Sequence, residues 1–287
     1  MDWNRKNNRE ILREAAIPTA EGSFPLLKFP ILDETGLVEH CFTTRYGGVS
    51  EGEFSSLNLS YTRGDDKAAV DENFRRLANA IGVTVNDFVF SDQTHTTNVL
   101  RVGKEDRGSG IMRPRPYHDV DGLITDEPQV VLATFFADCV PLYFVDVKRK
   151  AIGMSHSGWR GTVGRMGAKT LEAMAREFGT DPADVVAAVG PSICRDCYEI
   201  SDDVAKVFME TFPAQHHAFL EEKGGGKYQL DLWKCNELIL LDAGILPEHL
   251  AVTDICTCCN PTHLFSHRAS KGRRGNLGAF LYLKAEK

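Results

Sequence analysis

The sequence predicts a layered α/β or α+β fold built around a substantial mixed sheet. Two observations lead there. Runs rich in β-branched and aromatic residues alternate with apolar residues at helical spacing along the whole chain. No internal repeat, low-complexity tract or interdomain linker breaks that alternation. The 287 residues suit one large domain or two modest ones, and 43% hydrophobic content is enough for a large core.

Taken in order, residues 1–20 are polar and charged at the start, which predicts fraying or a short amphipathic helix. EHCFTTR reads as a strand, and GEFSSLNLSYTRGDD as an irregular loop. DFVFSDQTHTTNVLRV is strand-like. GKEDRGSGIMRPRPYHD, rich in Arg and Pro, reads as exposed, insertion-like decoration. VVLATFFADCVPLYFVDV predicts two buried strands interrupted at 138–141, and AIGMSHS a third that ends in small residues. One helix is expected from just after Trp159–Gly161 to a stop at Gly179. DVVAAVGPSI is a strand, SDDVAKVFMETF and LDLWKCNELILLDAG are helices, the second stopped by Gly244, and NLGAFLYL closes the chain as a strand.

A net charge of -7 gives no global attraction for nucleic acid or an anionic membrane. No apolar stretch is long enough to span a bilayer, and the N-terminus lacks an apolar signal region. Eight cysteines in such a chain predict reduced thiols, metal ligands or reactive groups, and a cytoplasmic protein.

Three residues sit where apolar strands give way to small or polar ones: His95, Cys139 and His156. Ligand-binding groups of α/β sheets concentrate at strand ends. Imidazole and thiolate suit zinc, and three protein ligands leave a fourth position open. The spacings of 44 and 17 residues form no compact metal motif. The same atoms also fit a cysteine nucleophile, with His156 as base and Asp138 or Asp121 as orienting carboxylate. Spacing leaves both readings open.

Cys194 and Cys197 form a C-x-x-C, and Cys256, Cys258 and Cys259 a C-x-C-C. This spacing matches no standard zinc ribbon, so free thiols are favoured over a second metal. His216 and His217 lie in a polar stretch and read as surface residues. Candidate anion-binding groups are Arg45 before two glycines and Arg160 at the start of a helix. Arg268, Arg273 and Arg274 belong to the basic run HRASKGRR, which a solvated loop explains equally well.

CFTTRYGGVS, SLNLS, DQTH, DVDGLIT, ADCVPLYFVD, SHSGWRGT, GPSICRDCYEI, LDLW and CTCCNPTHLFSHR occur in one order. Together they resemble the bacterial laccase-domain proteins, once called multicopper polyphenol oxidases. That family is now described as zinc-dependent purine nucleoside phosphorylases with adenosine deaminase activity, and is also labelled peptidoglycan editing factor. The resemblance begins near residue 25. It implies one catalytic α/β domain of mixed β-sheets flanked by helices over 25–287, with 1–24 as an N-terminal segment that is a candidate for mobility. The layered architecture implied is like that of cytotoxic necrotizing factor or cysteine hydrolases.

The resemblance further implies one Zn2+ per chain on His95, Cys139 and His156, with copper as the alternative. Those three residues are also the implied catalytic groups. Its substrates would be phosphate with adenosine, inosine, guanosine or methylthioadenosine. Arg45, Arg160 and Arg273 are expected to meet the anion, and Asn58 and Gln93 the sugar or base. The chain departs from the family pattern at Cys194, where a small residue is usual, at Asp196 and at Ser157. The basic motif falls on Gly272–Arg273 or one residue later. Three rival expectations stand beside the enzyme: a copper polyphenol oxidase, a zinc-free Cys–His hydrolase acting on cell-wall peptides, and a noncatalytic cell-division partner. Nine histidines without an H-x-H pair count against the first.

Overall fold

A computed structural model describes residues 1–7, 9–20 and 22–285. One six-stranded sheet holds β1 (Arg13–Thr19), β2 (Gly22–Lys28), β3 (Val38–Thr43), β4 (Phe88–Phe90), β7 (Val131–Phe136) and β15 (Leu277–Leu283), ordered β1-β2-β3-β15-β7-β4. A second holds β5 (Val99–Arg101), β6 (Gly122–Thr125), β8 (Val140–Asp146), β9 (Ala151–Ser157), β10 (Val185–Val189) and β14 (Leu250–Val252), ordered β14-β10-β8-β9-β6-β5. Both sheets are mixed: β4 runs parallel to β7, β5 to β6 and β10 to β14, while the other pairs are antiparallel. A small antiparallel sheet of β11 (Glu199–Ser201), β13 (Lys227–Leu230) and β12 (Leu220–Gly224) lies beyond them.

The two large sheets pack face to face. Because side chains alternate along a strand, each strand feeds two cores. Leu277, Ala279, Leu281 and Leu283 of β15 meet Tyr143, Val145, Ile152 and Met154 between the sheets. Phe280 and Tyr282 point the other way, onto α2 (Lys67–Ala80). On the far face of the second sheet, Leu142 and Phe144 join the core formed with α4 (Met166–Phe178), α5 (Asp202–Thr211) and α6 (Leu232–Asp242). The layers are therefore helix, sheet, sheet, helices, in agreement with the expected mixed sheets flanked by helices. Short helices α1 (Pro30–Asp33), α3 (Trp159–Val163) and α7 (His267–Ser270) complete the set.

Three local differences from expectation have physical causes. Residues 13–19 form a strand rather than part of a fraying or helical terminus, because seven residues pair with Gly22–Lys28 and extend the first sheet. Ahead of them, Arg5 bonds the buried Asp254 at 2.7 Å. The helix expected after Trp159 is two helices, divided at Gly164–Arg165, where Arg165 takes φ 58°. A Cβ at Gly164 would lie 2.5 Å from the Thr97 methyl, so the loop carrying His95 packs into that break. Helix α2 has no counterpart among the predicted elements. It buries Val70, Phe74, Leu77 and Ala78 at helical spacing and is capped by the Asp66 carboxylate.

Candidate metal centre and its cavity

Strand register assembles the centre. Gly122 pairs with Ser155 across β6 and β9, which sets Asp121 opposite His156, and the His156 N–H donates to the Asp121 carbonyl at 2.8 Å. Val140 pairs with Ser157 across β8 and β9, so Cys139 stands beside Gly158 one step further on. An Asp92–Val120 bridge brings the loop after β4 alongside, and with it His95. The ligand atoms of His95, Cys139 and His156 all lie within 4.8 Å of one another. The two imidazoles meet edge to face, centroids 4.9 Å apart.

Asp121 organises two of the three. Its carboxylate is fully buried and accepts the backbone N–H of Thr94, His95 and Thr96 at 3.1, 3.2 and 2.9 Å. That cradle holds His95 in the left-handed region at φ 68°, a conformation non-glycine residues adopt where surroundings enforce it. The same carboxylate faces Nδ1 of His156 at 2.8 Å, which turns Nε2 toward Cys139 and fixes the tautomer. Burial opposes the charge on Asp121, but the His156 ring and the N–H donors hold its carboxyl below the ordinary range. Asp138, the other carboxylate considered, does not serve His156. It accepts from Thr257 Oγ1 at 2.6 Å and from the Arg268 N–H at 2.7 Å.

Cys139 is half-buried in the turn between β7 and β8. Burial pushes its thiol up, yet His156 and His95 outweigh that and bring it down to about 6. Burial conversely disfavours an imidazolium at His156, and the Cys139 and Asp121 charges raise it to about 9. A thiolate between two histidines, one oriented by a carboxylate, is the donor set a zinc ion prefers. The packing is close: a Cβ on Gly158 would stand 3.0 Å from the His95 ring and 3.1 Å from Cys139 Sγ. The residues fit a single metal ion.

The centre opens on a cavity of about 370 Å³, lined among others by Gln93, Phe135, Tyr61, Arg63, Arg115 and Arg274. That is within the usual range of small-molecule sites. Of the expected contacts only Gln93 lines it, and both ends of its amide are held at 2.7 Å by the Phe135 backbone. Asn58 lies outside and fully buried, its amide spent on Ser60, Asp65 and the N–H of Asn276. Arg45 donates to the Ser55 and Pro261 carbonyls. Arg160 lies over the Trp159 ring, and Arg273 pairs with Glu53. None of these three arginines lines the cavity.

The cavity's cations are Arg63, Arg115 and Arg274. Arg115 is paired with Asp92 at 2.5 Å. Arg63 has no carboxylate partner among the described residues. Arg274 is buried; among the described residues it bonds the Gly275 carbonyl and the Asn276 side chain, and its Nε has no partner. Burial and the nearby Arg63 charge hold its guanidinium down to about 10. The loops read as irregular, and the second as decoration, form two cavity walls: 59–63 carries Arg63, and 110–115 carries Arg115. The glycine turn near Arg45 suggested an anion site; of the arginines that reach the cavity, Arg274 lies in the basic run, one residue after the expected Arg273, whereas Arg63 and Arg115 had no comparable local signal. Four of the other cysteines gather in a second cluster away from the cavity.

Residues 39–284 match the family described as multi-copper polyphenol oxidoreductase laccase. The chain is 37% identical over 247 residues to "Purine nucleoside phosphorylase YlmD" of Bacillus subtilis (strain 168), covering 85% of this chain and 87% of the relative. A crystal structure of Bacillus licheniformis hypothetical protein YfiH superposes with a TM-score of 0.88 at 33% identity, covering 96% of this chain and all of that one. That of YlmD from Geobacillus stearothermophilus gives 0.87 at 35% identity, over 94% and 100%.

Proposed function

The chain belongs to the multi-copper polyphenol oxidoreductase laccase family, and from that premise we propose that it is a zinc-dependent purine nucleoside phosphorylase with adenosine deaminase activity. One observation carries the reading: a His–Cys–His cluster and two guanidiniums without carboxylate partners face the same cavity. The relative's printed activity supplies the substrate class.

In this reading His95, Cys139 and His156 hold the zinc, which when bound supplies Lewis acidity at the cavity floor. Asp121 keeps the His156 ring and the His95 loop in place. Arg63 and Arg274 bind phosphate, replacing the expected Arg45, Arg160 and Arg273. The orphaned Nε of the buried Arg274 gains a charge-assisted partner when the anion enters. The aromatic side chains of Tyr61, Phe90, Phe135 and Phe136 offer apolar surface to a purine. Holding phosphate and nucleoside together in one cavity orients the oxygen of one against the sugar carbon of the other.

The metal-loaded chain should convert inosine and adenosine to base and sugar 1-phosphate only when phosphate is supplied. Release of free sugar at a rate independent of phosphate would overturn the phosphorylase assignment. Inosine appearing from adenosine without phosphate is the signature of deamination.

A second reading is favoured by the alignment of Cys139, His156 and Asp121, which matches a cysteine nucleophile with base and orienting carboxylate. Activity that survives complete chelation and disappears on alkylation of Cys139 would select it. A multi-copper oxidase requires several histidine-containing clusters, and among the described residues one such cluster occurs.

A further inference from the structure

Cys194, Cys197, Cys256 and Cys259 bring all four Sγ atoms within 4.8 Å of one another, although the two pairs are far apart in sequence. Cys256 to Cys259 is itself a C-x-x-C, so two such pairs face each other, the arrangement of a closed zinc site. The Sγ of Cys259 stands 3.9 Å from that of Cys194 and 3.4 Å from that of Cys197. Thiolates about 2.3 Å from a zinc ion stand roughly 3.8 Å apart in a tetrahedron. An iron–sulfur cube would hold its thiolates further apart than these sulfurs lie.

From this convergence we infer that the chain carries a second, structural metal site, a tetrathiolate zinc bound by Cys194, Cys197, Cys256 and Cys259. The surroundings suit an anionic thiolate centre. Backbone N–H groups of Cys194 and Cys259 donate to Cys256 Sγ at 3.2 and 3.4 Å. The Lys6 ammonium, held by Asp196 at 3.1 Å, faces Cys194 and Cys259. Binding takes all four sulfurs as thiolates and releases to solvent the protons they still hold. All four coordination positions are filled by protein, so the ion takes no substrate and acts as a staple.

What it staples matters for the first centre. A parallel bridge joins Ser192 to Cys256. From one pair, the Ile193 N–H donates to the Asp138 carbonyl at 3.0 Å; from the other, Thr257 Oγ1 donates to the Asp138 carboxylate at 2.6 Å. Asp138 sits at φ 87° and precedes Cys139. The second ion thus fixes the turn that aims Cys139, a consequence that rests on the proposed role of Cys139, whereas the site itself does not.

Zinc quantification on the full chain, purified under reducing conditions, tests the site. Wild type should hold two equivalents and Cys139→Ala one. X-ray absorption of the zinc left in Cys139→Ala should show four sulfur ligands and no imidazole. Adding Cys197→Ser to Cys139→Ala should then remove the remaining metal. A Cys139→Ala chain without metal, or one whose zinc has nitrogen or oxygen ligands, overturns the inference. If Cys197→Ser does not fold, the spectrum of Cys139→Ala alone decides. One equivalent in both wild type and Cys139→Ala, with four sulfurs, would uphold this site and sink the His95–Cys139–His156 reading.

Discussion

The molecule holds two sulfur-containing clusters on either side of one turn, and they differ in closure. At His95, Cys139 and His156 three donors of two kinds converge, one histidine is exposed, and a cavity of about 370 Å³ begins at the cluster. At Cys194, Cys197, Cys256 and Cys259 four identical donors converge, and none of the four lines that cavity. An incomplete ligand set beside unpaired arginines suits chemistry, and a complete one suits architecture. Asp138 joins them, bonded to residues that adjoin both cysteine pairs and neighbour to Cys139.

The contrast is broken most directly at Cys139. Cys139→Ala should lower phosphorolysis by at least ~10³-fold, because a Lewis acid contributes several kcal/mol to the barrier. The variant's thermal unfolding should match that of wild type depleted of the first zinc, since the second cluster is intact. A metal-depleted variant that turns over normally would place the chemistry elsewhere. Asp121→Asn is the next step down. It leaves all three ligands present but removes the charge that the Thr94, His95 and Thr96 N–H groups and the His156 ring share. Zinc affinity at the first site should drop about 10- to 100-fold. Competition with a chromophoric chelator measures it, and an unchanged affinity would mean that something other than Asp121 holds the ring.

Arg274→Ala sharpens the comparison on the cavity side. It removes the buried guanidinium with the orphaned Nε and leaves both clusters untouched. A lost charge-assisted hydrogen bond of about 1.5 kcal/mol raises the KM for phosphate roughly tenfold. The KM for nucleoside and the zinc content should stay as they were. A rise in both KM values together would point to collapse of the cavity wall instead.

How much of this could be read from sequence depended on whether the signal was local. The apolar run NLGAFLYL reads as a strand from sequence, and the structure adds that its alternate residues Leu281 and Phe280 enter different cores. Cys139, just before β8, and His156, near the end of β9, lie at strand ends as the residue pattern suggested, because a strand end is a local event, whereas His95 lies in the loop between β4 and β5. Which arginine meets the cavity was not legible. Arg45 lies beside two glycines and looks available, yet its guanidinium is consumed by two carbonyls, one of them 216 residues away. Arg274 is distinguished by a buried Nε that lacks a partner among the described residues, and that is a property of the folded environment. Reading Cys256, Cys258 and Cys259 as one C-x-C-C hid the C-x-x-C inside it, and the folded chain, through the Ser192–Cys256 bridge and the contacts of Cys259 Sγ, shows which pairs meet. The α2 pattern of Val70, Phe74, Leu77 and Ala78 is interspersed with charged residues, and it gains its meaning from the sheet it covers.

The smallest expected effect tests how tightly the open centre is built. Gly158 has φ -72° and ψ -177°, a backbone any residue adopts, so alanine adds no strain there. Its new Cβ would nonetheless sit 3.0 Å from the His95 ring and 3.1 Å from Cys139 Sγ, closer than comfortable contact. His95 is exposed on a loop and can move by a few tenths of an ångström, whereas Cys139 is held by its turn. The strain should therefore fall on His95, widening the ligand triangle while metal-free stability stays unchanged. Gly158→Ala should weaken zinc binding only a few-fold, on the order of 1 kcal/mol. Its absorption spectrum should show one imidazole at a longer distance, with the all-sulfur component unaltered. Wild-type affinity in this variant would show that the three ligands converge with slack, and that their spacing is set by the metal rather than by the fold.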